Sequence, residues 1–329
     1  MLADVAALAN VSLSTASRVV TGRTPVSARV RERVLAAVDE LGYRPNAAAQ
    51  VLVSGRRSTV AVLARNTLRY GYAATLRGIE EAARAAGYAV TIAVVESESP
   101  DDIRRGVNQV LTQPLAGAIV IEFDAVGVAT LEALPRTVPV VAAAGARDDS
   151  SGRPHAFLDD YEGGRAATEY LLSLGHRTVH HVAIPSTREN SGREWGWRRA
   201  LEDAGAEVPP VIEADYDPVS GHEAGLSLDL AGVTAILCGN DEIAIGVMRA
   251  LHERGVRVPE DVSVMGFDDQ PFAAMWAPSL STVSQDFIDL GRRTFELLTG
   301  WVNTDEAPQD SLVAPELRIR ESTSAPPSL

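Results

Sequence analysis

Apolar residues fall into two regimes along this chain. In the first 45 residues they recur at helical spacing in short stretches; from residue 59 onward they gather into continuous runs separated by amphipathic stretches. Leu2, Val5, Ala6 and Leu8 share one helical face, and Asn10 follows, a residue type that tolerates the left-handed backbone of a tight turn. Ser12 or Ser14 can cap a second helix reaching residue 20, and Pro25-Val26-Ser27 opens a third over 28–41, closed by Gly42. Three short helices with a tight first turn predict an all-α helix-turn-helix unit over 1–45. Residues 46–57 follow Pro45; their alanine-rich start has helical propensity but is too short to hold a helix alone, so they form a linker that folds only on docking.

Apolar runs at 59–63, 89–95, 117–121, 138–142, 179–184, 235–238 and 263–267 predict strands, and the stretches 72–86, 101–111, 193–204 and 241–254 predict helices between them. Continuous apolar strands alternating with helices predict parallel sheets covered on both faces, an α/β core. Ligands of such sheets sit beyond the carboxyl ends of the strands. Arg65, Glu122, Asn240 and Asp268 each follow a predicted strand and are the first candidates.

Composition narrows the picture. With 329 residues, 46% of them hydrophobic and 22% charged, the chain suits two or three domains with a sizeable core. No apolar run approaches the roughly 20 residues of a membrane span, and no basic, then apolar leader precedes the first helix; a cytoplasmic location is expected. The lone Cys238 sits in an apolar run and excludes a disulfide framework or a several-thiolate zinc site. His180 and His181 alternate across a predicted strand and cannot share a metal; neither metal nor cofactor is expected. The sequence carries no nucleophile elbow, phosphate-cradling glycine loop or metalloprotease helix, and the adjacent Asp268 and Asp269 point apart, so no enzymatic activity is expected.

The net charge of −14 looks wrong for a nucleic-acid binder until its distribution is considered. Through Arg57 eight arginines face four carboxylates, a balance of +4, which leaves −18 on residues 58–329. A small basic end on an acidic body suits one domain that meets phosphate and one that does not.

The motifs Asp4-Val5-Ala6, Val11-Ser12, Thr15-Ala16-Ser17-Arg18-Val19, Arg31-Glu32-Arg33-Val34 and Leu41-Gly42-Tyr43-Arg44-Pro45-Asn46-Ala47, in this order, resemble the headpiece of the lac repressor family. The resemblance continues through Arg77-Gly78-Ile79-Glu80, Leu174-Gly175-His176-Arg177, Gly239-Asn240-Asp241, Gly266-Phe267-Asp268-Asp269 and Gln285, covering nearly the whole chain. Ala16 replaces the family's usual valine. Relatives also carry a capping threonine and further residues ahead of the first helix, where Met1 stands here, so either the first helix begins uncapped, at a cost of about 1 kcal/mol, or the true reading frame begins upstream.

The resemblance implies a headpiece at 1–45, a hinge at 46–57, and a periplasmic-binding-protein-like core of two doubly wound parallel-sheet subdomains, 58–157 with 287–315 and 158–286 with 316–322, ending in a disordered tail at 323–329. It places Leu13, Ser14 and Arg18 at base edges in the major groove of double-stranded DNA, where arginine can fork onto guanine and leucine can meet a thymine methyl. Thr15, Ser17, Ser27 and Asn46 fall at phosphate-contacting positions, and Leu52 aligns with the hinge leucine that wedges the minor groove of a palindromic operator. Arg193, Tyr216 and Phe287 join the cleft candidates: guanidinium and carboxylate each hold neighbouring sugar hydroxyls, and an aromatic ring offers a flat face. A sugar-binding carboxylate of some relatives is absent, because Ala144 stands there; Arg65 with Arg193 suggests room for an acidic sugar. The implied protein is a homodimeric repressor of carbohydrate-utilisation genes that releases its operator when a sugar-type effector binds. An activator, or a regulator with a co-effector, fits the same residues, and the tail lacks the leucine heptads of a tetramer.

Overall fold

The computed structural model describes residues 1–21, 26–43, 57–146, 151–185 and 192–327. The chain divides into two units, 1–57 and 58–329. In the first, α1 (Leu2–Leu8), α2 (Leu13–Thr21) and α3 (Ala28–Glu40) close around Val5, Ala6, Ala9, Ala16, Val19, Val34 and Ala37. Asn10 takes a φ of 47° between α1 and α2, and the Val11 N–H returns to the Ala6 carbonyl at 3.0 Å. Ala16 is fully buried, so the missing valine methyls fall in the headpiece core and not on its outer face.

The second unit holds two six-stranded sheets. The first lobe contains β1 (Thr59–Ala64), α4 (Tyr70–Ala85), β2 (Ala89–Val94), α5 (Pro100–Leu111), β3 (Gly117–Glu122), α6 (Ala125–Ala133), β4 (Val140–Ala144) and β5 (His155–Leu158). The chain then builds the second lobe from α7 (Asp160–Ser173), β6 (His180–Ala183), α8 (Gly192–Asp203), β7 (Ile212–Glu213), α9 (Pro218–Ser227), β8 (Ala235–Cys238), α10 (Asp241–Glu253), β9 (Ser263–Asp268) and β10 (Ser281–Ser284). It returns through α11 (Phe287–Thr304) and β11 (Ser311–Val313) to the first lobe, and β12 (Glu316–Arg318) ends on the second.

Strand orders are β11-β5-β4-β3-β1-β2 and β12-β10-β9-β8-β6-β7, parallel except for the antiparallel β10–β12 pair. The order reverses between β1 and β3 in one sheet and between β6 and β8 in the other, which opens a crevice beyond the strand ends in each lobe. Central strands are buried on both faces, whereas β2 is an edge strand with Ile92 and Val94 exposed.

Three helix pairs cross backbone to backbone, α4 on α11, α7 on α8 and α9 on α10, each through reciprocal glycines. At the second crossing a Cβ on Gly196 would collide with the Tyr161 carbonyl, and one on Gly164 with the Arg193 carbonyl. Gly164, Gly221 and Gly291 fall outside the helices predicted from the sequence because mid-helix glycine disfavours helix by about 1 kcal/mol; here a close approach requires them.

The expected disorder of the tail is not found at 323–327. Ser322 is fully buried and donates to the Val264 carbonyl at 2.6 Å, the Ser324 N–H donates to Ser263 Oγ at 3.0 Å, and the Ser324 carbonyl faces His176 Nε2 at 3.0 Å. Small hydroxyls that read as solvent-loving instead bond to groups at the amino end of β9.

Gly300 lies in α11 with open space at its Cβ position, unlike Gly196. Gly300→Ala should therefore stabilise the protein by up to about 1 kcal/mol through helix propensity. Gly196→Ala should destabilise it by about 1–3 kcal/mol through overpacking. Urea or thermal melts of the two variants check the opposite signs.

Candidate functional site

On α2 the side chains divide by face. Ala16 and Val19 point inward, while Leu13, Ser14 and Arg18 are exposed, Leu13 at 54%. Ser12 starts the helix: its Oγ accepts from the Thr15 N–H at 3.1 Å and lies 2.8 Å from Thr15 Oγ1. The Arg18 Nε reaches back towards the Ser14 carbonyl at 3.4 Å, so Ser14 and Arg18 present adjacent groups one turn apart. Thr15 and Ser17 are half-buried beside this face, and Ser27 is exposed at the start of α3. A helix with a polar outer face tipped by an exposed leucine has what a major groove requires: donors and acceptors for base edges and one apolar group for a methyl. Asn46 and Leu52 lie outside the described residues.

In the second unit a cleft of about 1070 Å³, counting its open mouth, lies between the lobes. It takes in Glu122, Arg193, Tyr216, Asn240, Asp268 and Phe287 among its walls. Arg65 is not part of the wall: it is exposed and approaches Asp124 at 3.7 Å. One turn of loop later, Arg69 takes that place.

The second-lobe wall centres on Arg193, whose side chain is only 9% exposed. Its Nε donates to Asp160 Oδ2 at 3.2 Å and its Nη2 to Gln285 Oε1 at 3.2 Å, while Nη1 donates to the Gly239 carbonyl. Nη2 also stands 2.9 Å from Asp268 Oδ1, and the guanidinium lies over the Phe267 ring at 3.9 Å. That N–H is not aimed at the Asp268 oxygen, which is left with a neighbouring charge but no hydrogen bond. Burial works against the Arg193 charge, yet Asp160 and Asp268 outweigh it and raise its pKa.

Asp160 and Gln285 are the partners that sequence reasoning missed. Gln285 Nε2 donates to Asp160 Oδ1 at 2.6 Å, closing a triangle with Arg193. The signal for Asp160 was present in Asp159-Asp160-Tyr161-Glu162, a run of acids of the kind that opens a helix; Asp159 does cap α7 by accepting from the Glu162 N–H at 3.0 Å. The Asp160 carboxylate packs against Gly145, just beyond the strand that ends at Ala144.

Two candidates carry structural duties. Asn240 caps α10, with Oδ1 accepting from the Ile243 N–H at 2.7 Å and Nδ2 donating to the Tyr216 carbonyl at 3.0 Å. Glu122 is 5% exposed and its Oε2 stands 3.3 Å from His155 Nε2, whose other nitrogen lies 2.8 Å from the Arg153 carbonyl. Burial opposes protonation of His155, but the Glu122 hydrogen bond and charge outweigh it and raise its pKa.

The first-lobe wall is aromatic. Tyr70 meets Phe287 edge-on at 5.8 Å, Phe287 meets Phe123 at 5.7 Å, and Phe123 meets Tyr72 at 5.2 Å. Tyr216 crosses the mouth from the second lobe and donates its hydroxyl to the Phe123 carbonyl at 3.4 Å, while Arg69 covers its ring at 4.3 Å. Burial pushes the Tyr216 hydroxyl up to about 12, so it remains a donor at neutral pH. One polar wall and one flat apolar wall suit a ligand with hydroxyls on one side and a ring face on the other.

Burial raises the Asp268 carboxyl to about 6, with Arg193 pulling it down and Asp160 pushing it up. A carboxyl whose folded pKa exceeds its unfolded value, here 3.8, is protonated first in the folded state. Its charge therefore weakens the fold above pH 6, and the penalty fades as pH falls from there towards 3.8. The melting temperature of Asp268→Asn relative to the parent should therefore rise as pH increases from about 5 to about 7.5. Paired thermal melts across that range check it.

Residues 1–46 match the family described as bacterial regulatory proteins, lacI family, and residues 168–323 match a periplasmic binding protein-like domain. The chain is 31% identical over 327 residues to catabolite control protein A of Priestia megaterium, covering 97% of this chain and 98% of that one. It is 31% identical over 333 residues to the lactose operon repressor of Escherichia coli (strain K12), covering 99% and 91%. The crystal structure of the lac repressor dimer bound to operator and the anti-inducer ONPF superposes with a TM-score of 0.89 at 30% identity, covering 99% of both chains. With the headpiece, the two-lobed core and these relatives agreeing over nearly the full length, the chain belongs to the lacI family of bacterial regulatory proteins and is a DNA-binding transcriptional regulator.

Proposed function

We propose that the protein is a homodimeric repressor of carbohydrate-utilisation genes that acts in the cytoplasm and releases a palindromic operator when a sugar-type effector enters the cleft. The observation that carries this reading is the pairing of the polar Arg193 cluster with an aromatic wall, in a chain that also bears a lacI-type headpiece. Lac repressor, a relative solved as a dimer on its operator with a small molecule, supports the same three partners here. Among the described residues no helix is long and apolar enough to cross a membrane. A non-enzymatic role fits the Asp268-Asp269 doublet, whose carboxylates serve different arginines: Asp268 faces Arg193, and Asp269 accepts from Arg320 at 2.6 Å.

Leu13, Ser14 and Arg18 read bases in this scheme, and Thr15, Ser17, Ser27 and Asn46 position the headpiece on phosphates. Leu52 from each subunit wedges the minor groove. Arg193 and Asp268 bind effector hydroxyls with Tyr216 and Phe287 against the ring; Glu122 and Asn240 shape the pocket, and Arg65 supports its rim through Asp124. An inducer must bind the DNA-free state more tightly, by tenfold for every 1.4 kcal/mol or so of coupling.

Fluorescence anisotropy on DNA from around the protein's own gene, against scrambled DNA and with a panel of sugars, tests the reading. Tight selective binding released by one sugar is the expected result; binding no better than to scrambled DNA would sink it. In the same assay Arg18→Ala should weaken operator binding by about 1–3 kcal/mol and relax specificity at one base pair. Asp268→Ala should abolish release by the sugar while operator binding persists.

A further inference from the structure

We propose that the cleft selects saccharides without an anionic group, neutral or aminated, and rejects phosphorylated and uronic sugars; this rests on the effector reading above. Among the described residues the cleft wall carries five carboxylates, Glu122, Asp160, Glu194, Glu242 and Asp268, against two guanidiniums, Arg69 and Arg193. His181, also in the wall, adds no charge near neutral pH, because burial pushes its pKa down to about 4.

Both guanidiniums are already engaged by groups of the protein. Each nitrogen of Arg193 already faces a partner, and its ring-facing side is covered by Phe267. Arg69 lies over Tyr216 and points to Asp215 at 3.7 Å, outside the polar cluster. The carboxylates are less evenly matched. Asp160 and Asp268 share the single charge of Arg193, and Glu242, half-buried at the start of α10, has its pKa raised by burial, with a Gln270 hydrogen bond and the Arg69 charge opposing.

Helix N-termini aimed at a cleft ordinarily favour anions through the helix dipole. Here that attraction is met from within. α7 carries Asp159, Asp160 and Glu162 at its start, α8 carries Glu194, α10 carries Asp241 and Glu242, and α11 carries Asp286 and Asp289. A phosphate placed among these groups would meet like charge. A hydroxyl or an ammonium would meet acceptors, among them the Asp268 oxygen that lacks a hydrogen bond. Of the two arginines that suggested an acidic sugar from the sequence, Arg65 does not line the cleft.

The test is equilibrium dialysis of the full-length protein, at about 0.15 M salt, against matched sets that differ only in charge. Each set holds a hexose or disaccharide, its amino form, its phosphate and its uronate, built on glucose, galactose, mannose, cellobiose, lactose and maltose. In the set that binds, the phosphate and uronate should be at least tenfold weaker than the neutral or aminated member. An anionic member bound as tightly as its neutral parent, or more tightly, overturns the inference while leaving the effector reading intact. If no member of any set binds although selective operator binding persists, the saccharide reading of the cleft fails and this inference fails with it. Glu242→Gln should shrink the discrimination between neutral and phosphorylated members; an unchanged ratio overturns its assignment to the charge of the wall.

Discussion

A buried guanidinium organises the core of this regulator. Arg193 is almost entirely withdrawn from water, and an isolated charge in that setting is tolerated only when paired and hydrogen-bonded. Its partners come from four places far apart in the chain: Asp160 at the start of α7, the Gly239 carbonyl after β8, Asp268 at the end of β9 and Gln285 beyond β10. Satisfying one side chain thus fixes the relative positions of two helix starts and three strand ends. The helix that carries Arg193 is set by contact as well as charge, since its first turn rests its backbone on Gly164. Remove the arginine, and two carboxylates would face each other in a buried site without their counter-ion.

How far the sequence foretold this arrangement depends on which physical signal each element carries. Strands β1, β3 and β9 were legible as continuous apolar runs because both of their faces are covered. Helices α7, α9 and α11 were not, since Gly163 and Gly164, Gly221 and Gly225, and Gly291 resemble interruptions when only propensity is weighed. What those positions encode is the surface of a partner helix, a long-range fact with no local signature. The same blindness hid Asp160: without β5 and α7, an acid at 160 had no strand end to follow. Candidates at recognised strand ends were found, but their duties were not. Asn240 does follow β8, yet its amide is used to cap the next helix and hold the Tyr216 loop.

The two lobes divide the chemistry of recognition between them. Phe123, Phe287, Tyr70 and Tyr72 form a chain of edge-on contacts on the first lobe, whose rigidity comes from packing. The second lobe supplies the charged network. Tyr216 and Arg69 face each other across the mouth, so closure of one lobe on the other changes the environment of both at once. A ligand that touches both walls has differential contact with open and closed states, and such a difference is what an effector needs to shift an equilibrium.

Backbone geometry points to the same place. Asp268 and Asp269 have φ values of 101° and 54°, successive non-glycine residues in a region that side chains disfavour. Such strain persists only where the surroundings over-determine it. Here Arg193 holds the first carboxylate from above, and Arg320 holds the second from the final crossing of the chain while also donating to the Leu280 carbonyl at 2.7 Å. A glycine at 268 would relieve the backbone but remove the carboxylate, and a relaxed aspartate would turn its oxygens away from the guanidinium. The strained turn keeps the Asp268 carboxylate both on the cleft wall and against Arg193.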